Sequence, residues 1–153
     1  MYIVLNLDDI RLNNIISTES MRNTVIDNSS FIRLMYSDNN ITLNAIYINI
    51  PLLNPIYDKY FQKYKCSFSL QTNENLIKKL QELENNILDH MNIYGKVKKL
   101  NFSEQLSFGF IKIFLDDLIE PTPDSILVLK ISGIWESDTE YGITYKFILV
   151  NHL

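Results

Sequence analysis

The C-terminal stretch Ser125–Leu153 constrains the fold more than any other part of the chain. It opens with Ile126-Leu127-Val128-Leu129-Lys130-Ile131-Ser132-Gly133-Ile134-Trp135, breaks at Glu136-Ser137-Asp138-Thr139-Glu140, and returns through Tyr141–Asn151. In the return run Ile143, Tyr145, Phe147 and Leu149 alternate with Thr144, Lys146, Ile148 and Val150. A period of two places alternate side chains on opposite faces of a strand. The two runs and their polar break therefore predict a strand hairpin. On the outgoing strand Leu127, Leu129, Ile131 and Trp135 make the apolar face, with Lys130 and Ser132 opposite.

Further strands are predicted upstream. Phe31–Tyr36 is followed by the turn cluster Ser37-Asp38-Asn39-Asn40, whose Asp and Asn side chains suit tight turns. Ile41–Ile50 then alternates, which predicts a second hairpin with Phe31–Tyr36. Pro51 and Pro55 end it. Cys66–Leu70 reads as a strand, and Phe110–Leu115 as another with Phe110, Lys112 and Phe114 on one face. Tyr2–Leu7 reads as a short first strand, while Ile10–Ser30 has no clean period.

The clearest helix is Glu74–Met91, where Leu76, Leu80, Leu83, Ile87 and Met91 step by three or four residues. Thr72 or Asn73 supplies an N-cap oxygen and Gly95 a stop. Glu82, Glu84, Asn85 and Asn86 fall away from the stripe. Lys96–Asn101 reads as a connector and Ser103–Leu106 as a helical turn. The pattern is that of a mainly β (α+β) fold with one main amphipathic helix. A length of 153 residues, without internal repeat or linker, fits one domain, 1–153.

Charge and cysteine content narrow the function classes. The net charge is −4, so a phosphate-binding role requires cations gathered on one face. A single cysteine, Cys66, makes no intramolecular disulfide. Met1–Asn6 lacks the features of a signal peptide, and no apolar run reaches the ~18–20 residues that span a bilayer. The expectation is an intracellular, soluble protein with no membrane partner.

Cations interleave with aromatics in Tyr57-Asp58-Lys59-Tyr60-Phe61-Gln62-Lys63-Tyr64-Lys65. Single-strand binders use both, with cations following the backbone and rings stacking on bases. The same run also fits an amphipathic segment with Tyr anchors and solvated lysines. Lys96, Lys98 and Lys99 form a second basic cluster, while acidic residues gather at Asp116–Asp124 and Glu136–Glu140. Trp135 fits either a stacking platform or a plug closing one end of a barrel. The doublets Asp8/Asp9 and Asp116/Asp117 would point to opposite faces of a strand, which is a poor basis for a shared acid–base or metal site. His90 and His152 lack partners at metal-binding spacing. No Gly-rich phosphate loop is present. No catalytic residue, metal or cofactor is assigned, and the reading is non-enzymatic.

The runs Leu127–Glu136 and Tyr141–Phe147 resemble the C-terminal hairpin of small proteins of large DNA viruses. Some of these are similar to single-stranded DNA-binding proteins of the OB (oligonucleotide-binding) fold. The resemblance implies an OB-like, partly closed antiparallel barrel. Five strands would form it, those near Phe31, Ile41 and Cys66 before the helix and those near Ser125 and Tyr141 after it, with Phe110–Leu115 and Tyr2–Asn6 as additions. It also implies binding of single-stranded nucleic acid, with DNA favoured, in replication or genome handling, at a nuclear or cytoplasmic viral replication site. Lys59, Lys63 and Lys65 would contact phosphates and Tyr57, Tyr60 and Tyr64 would stack. Lys96, Lys98, Lys99, Lys130, Lys146 and Trp135 would complete the surface. Two alternatives stay open. One is a protein–protein interaction or virion structural module, oligomerising through a strand edge or aromatic patch. The other is a metal-dependent nuclease using the loop carboxylates.

Overall fold

A computed structural model describes residues 3–19, 21–22, 28–114 and 120–151. Over these residues the chain is mainly β, with one large, mostly antiparallel sheet and two α-helices. At its centre the hairpin pairs β10 (Ile126–Glu136) with β11 (Glu140–Val150) over nearly their whole length. The outer side of β10 is shared by two strands. β5 (Ile46–Asn49) takes its first half and β3 (Ser30–Ser37) its second. Around β3 lie β1 (Ile15–Ser17), β2 (Met21–Arg22) and β4 (Thr42–Leu43). The other side of β11 pairs in parallel with β8 (Val97–Lys99) and β9 (Phe110–Phe114). β7 (Lys63–Ser67) follows β9, and β6 (Ile56–Tyr60) is the outermost strand.

Several sequence expectations change in this topology. The sheet is open, with its path ending at β1 and β6, so the partly closed barrel is not formed among the described residues. The second hairpin is reduced to the two-residue β4. Residues Ile46–Asn49 instead leave β3 and pair with β10, where Ile46 and Ile48 are buried. The strand near Cys66 begins earlier, at Lys63. Phe110–Phe114 is no peripheral addition, because it joins β7 to the central hairpin. Before the first strand, Leu5 contributes a single parallel bridge to Ile48.

Helix α1 (Glu74–His90) and the shorter α2 (Asn101–Ser107) cover one face of the sheet. Ile77, Leu80, Ile87 and Leu88 pack there with Leu129, Ile131, Ile134, Ile143 and Phe147. Burying such side chains stabilises by roughly 1.5–3 kcal/mol each. The buried stripe of α1 is rotated from the expected one and includes Glu84 at 0% exposure. Its carboxylate accepts hydrogen bonds from the backbone N–H groups of Phe102 (3.1 Å) and Ser103 (2.9 Å), two donors that the start of α2 leaves unpaired. Asn73 does not cap α1 with its side chain. Its amide instead bonds Leu53 N–H and C=O and Ser69 C=O, pinning the Pro51–Pro55 loop. After His90 the left-handed residue is Asn92, with Gly95 further on.

The long strand β10 carries a bulge between Ile131 and Gly133. A bulge inserts one residue and inverts the alternation beyond it. Trp135 therefore shares its face with Lys130, not with Leu127, Leu129 and Ile131. Among the described residues no helix is long and apolar enough to cross a membrane.

Candidate nucleic-acid interface

The face opposite the helices collects lysines from distant parts of the chain. Tyr47 stands opposite Lys130, and Lys130 opposite Lys146. β9 runs parallel to β11 with Ile113 beside Phe147, so the preceding residues, Lys112 and Lys146, stand side by side. Lys112 pairs with Lys65, and Lys65 with Asp58. Paired residues project from the same face. Lys130, Lys146, Lys112 and Lys65 thus form one row across β10, β11, β9 and β7, about 15 Å long at the usual strand spacing. Asp58 closes it at the outer edge.

Aromatic rings accompany the row. Lys65 Nζ lies 4.5 Å from the centre of the Phe110 ring, and Lys130 Nζ 5.8 Å from that of Tyr47. A cavity of about 360 Å³ is lined by Tyr60, Lys63, Tyr64, Lys65, Phe110 and Lys112. Further along the same face the register brings Phe31 beside Trp135 and exposed Arg33 beside Gly133. Two glycines let those rings approach the sheet. A Cβ on Gly133 would stand 2.5 Å from the Phe31 ring, and one on Gly142 2.8 Å from the Trp135 indole.

The Tyr/Lys segment folds as the β6–β7 hairpin with Phe61-Gln62 at its tip, and the strand period divides it. Tyr60, Lys63 and Lys65 share the face of the lysine row. Tyr57, Lys59 and Tyr64 point to the other side. Tyr64 is 7% exposed, which removes its ring from surface stacking. Tyr57 is half-buried, and its phenol is held with the Cys66 thiol. Burial, together with Cys66, pushes the Tyr57 phenol up to about 12, and burial pushes the thiol up to about 11.

Lys96, Lys98 and Lys99 sit apart from the row, each with a carboxylate. Lys96 pairs with Glu136 at 2.6 Å and Lys99 with Glu140 at 3.4 Å. Lys98 pairs with Asp89 at 2.7 Å and also donates to Asn85. Lys96 lines a separate cavity of about 510 Å³ with Ser30, Glu136 and Asp138. Among the described residues, Lys96 and the Lys63–Lys65 pair thus line different cavities.

Lys112 and Phe110 are the principal additions to the expected residues. Their alternation was visible, but their position beside Lys65 follows only from the pairing of β9. Elsewhere, Asp8 pairs with Lys79 at 3.1 Å, within a 3₁₀ turn rather than a strand. Cys66 is fully buried, and a thiol titrating near 11 is a poor nucleophile at neutral pH. His90 is exposed at the end of α1. Asp116, Asp117 and His152 lie outside the described residues. Among the described residues no three His, Cys, Asp or Glu side chains stand close enough to share a metal ion. Compared with known proteins, the chain matches no family model, no curated protein and no solved structure.

Proposed function

We propose that this protein binds single-stranded nucleic acid, DNA in the first place, on the helix-free face of its sheet and without chemistry. The carrying observation is the lysine row. Like charges directly opposite across strands are destabilising, yet Lys130/Lys146 and Lys112/Lys65 are two such pairs, adjacent to one another. None of the ion pairs among the described residues involves Lys65, Lys112 or Lys130. A polyanion laid across the strands supplies countercharge to these three lysines. Rings on both sides of the row, Tyr47 and Phe110, offer faces to bases. The sheet is not closed among the described residues, so the proposed likeness to OB-type single-strand binders is one of binding mode and not of barrel closure.

The test is a fluorescence-anisotropy titration with labelled oligothymidine at several salt concentrations. Each single-strand phosphate neutralised contributes a slope of about −0.7 in log K against log salt, so four lysines predict a slope near −3. No binding at a concentration on the order of tens of micromolar in low salt ends the proposal.

A further inference from the structure

The β6–β7 hairpin tip breaks two ordinary rules. Phe61 is 81% exposed and Tyr60 64% exposed, although both are large rings. Phe61 also adopts φ +55°, in the left-handed region. The other described non-glycine residues there are Asn28, Asn54 and Asn92, a type that tolerates it. The turn puts two residues between Tyr60 and Lys63, a loop that favours glycine where φ is positive. A bulky ring is thus held in a strained, solvated position, a combination that marks functional sites. Tyr60 braces it edge-on, with ring centres 4.8 Å apart and planes at 79°.

The lysine row leads to this tip. Asp58 faces the outer end of the row at Lys65, so an anionic backbone cannot continue straight across β6 without meeting a carboxylate. On the same face of β7 the next position toward the tip is Lys63, which stands opposite Tyr60. Tyr60 and Lys63 line the same cavity as Lys65 and Lys112. From Lys65 to Lys63 is about 7 Å along the strand, and the next residue pair is the tip itself.

We infer that Phe61, braced by Tyr60, stacks on a base of the bound single strand where its backbone leaves the lysine row. This rests on the proposed function and adds a base contact beyond the row itself. The test uses the full chain, labelled oligothymidine and an abasic deoxyribose-phosphate oligomer of equal length. Phe61→Gly removes the ring and suits the left-handed backbone, so it folds at least as readily as the parent. It should weaken oligothymidine binding roughly 5- to 150-fold, the range of a lost base stack. Binding to the abasic oligomer and the salt slope should stay unchanged, and Phe61→Trp should retain wild-type affinity. Equal oligothymidine binding by Phe61→Gly and wild type overturns the stacking role while leaving the lysine row intact. So does a parent oligomer that Phe61→Gly dissociates in light scattering, which makes the tip a protein contact. A wild-type chain that binds neither oligomer overturns the nucleic-acid reading and the stacking role together.

Discussion

Two groups of lysines on one sheet differ in what answers their charge. At β8, Lys96, Lys98 and Lys99 each meet a carboxylate, from Glu136, Asp89 and Glu140. Across β10, β9 and β7, Lys130, Lys112 and Lys65 stand in no ion pair among the described residues and lie beside other lysines and aromatic rings, with Asp58 at the outer edge. The first group ties the end of α1 and the hairpin loop to an edge of the sheet. The second sets like charges opposite one another across strands. A net charge of −4 conceals this division, because it sums both groups with all the acids.

The largest effect should come from removing the row. Replacing Lys65, Lys112 and Lys130 together by alanine should weaken oligothymidine binding at low salt by ten- to a hundredfold or roughly so, and bring the salt slope about two units closer to zero. The corresponding triple alanine of Lys96, Lys98 and Lys99 should bind within about twofold of the parent, since its charges are already compensated. Anisotropy titrations of both variants decide the comparison. Equal losses would erase the distinction between the groups.

A smaller effect separates the helix-covered face from the open one. Glu84→Gln keeps the volume of the buried side chain but sets an amide against the N–H donors of Phe102 and Ser103. Urea denaturation should show a loss of about 1–3 kcal/mol, with oligothymidine binding unchanged. Burial raises the Glu84 pKa above 4.5, although the N–H donors oppose the shift. A folded-state pKa above the unfolded one means that its stabilising contribution is complete below about 4.5 and is lost as pH rises through the folded value. The cost of Glu84→Gln should therefore shrink from mildly acidic pH toward neutrality. A cost that grows instead would show that the capping N–H groups outweigh burial.

What the sequence made legible follows from how far apart the partners lie. The terminal hairpin carries its alternation within one window, and its pairing emerged as expected. The displacement of Trp135 did not, although a glycine inside a strand, Gly133, is a sign of a bulge. Glu84, expected away from the stripe, is buried four residues from Leu80 and from Leu88, because the stripe that packs is rotated from Leu76, Leu83 and Met91 toward Ile77 and Leu88. The Tyr/Lys segment is one cluster only along the chain, because a strand sorts its residues by parity onto two faces. The lysine row has no sequence signature at all. Its members come from four strands, and only the parallel register of β9 with β11 aligns them.

The smallest effects grade the compensated lysines among themselves. The Lys96–Glu136 pair is mostly buried and short, whereas Lys99 and Glu140 are both well exposed at 3.4 Å. Removing Lys96 leaves a partly buried carboxylate without its partner, so Lys96→Ala should cost about 1 kcal/mol. Lys99→Ala should cost no more than a few tenths, because solvent and salt already screen that pair. Thermal melts at low and high salt check the ranking. The deficit of Lys96→Ala should persist in high salt, and that of Lys99→Ala should vanish. If both deficits vanish together, the Lys96 pair is a surface contact, and the β8 edge is held by its backbone register to Glu140–Gly142 and by the Lys98–Asp89 pair.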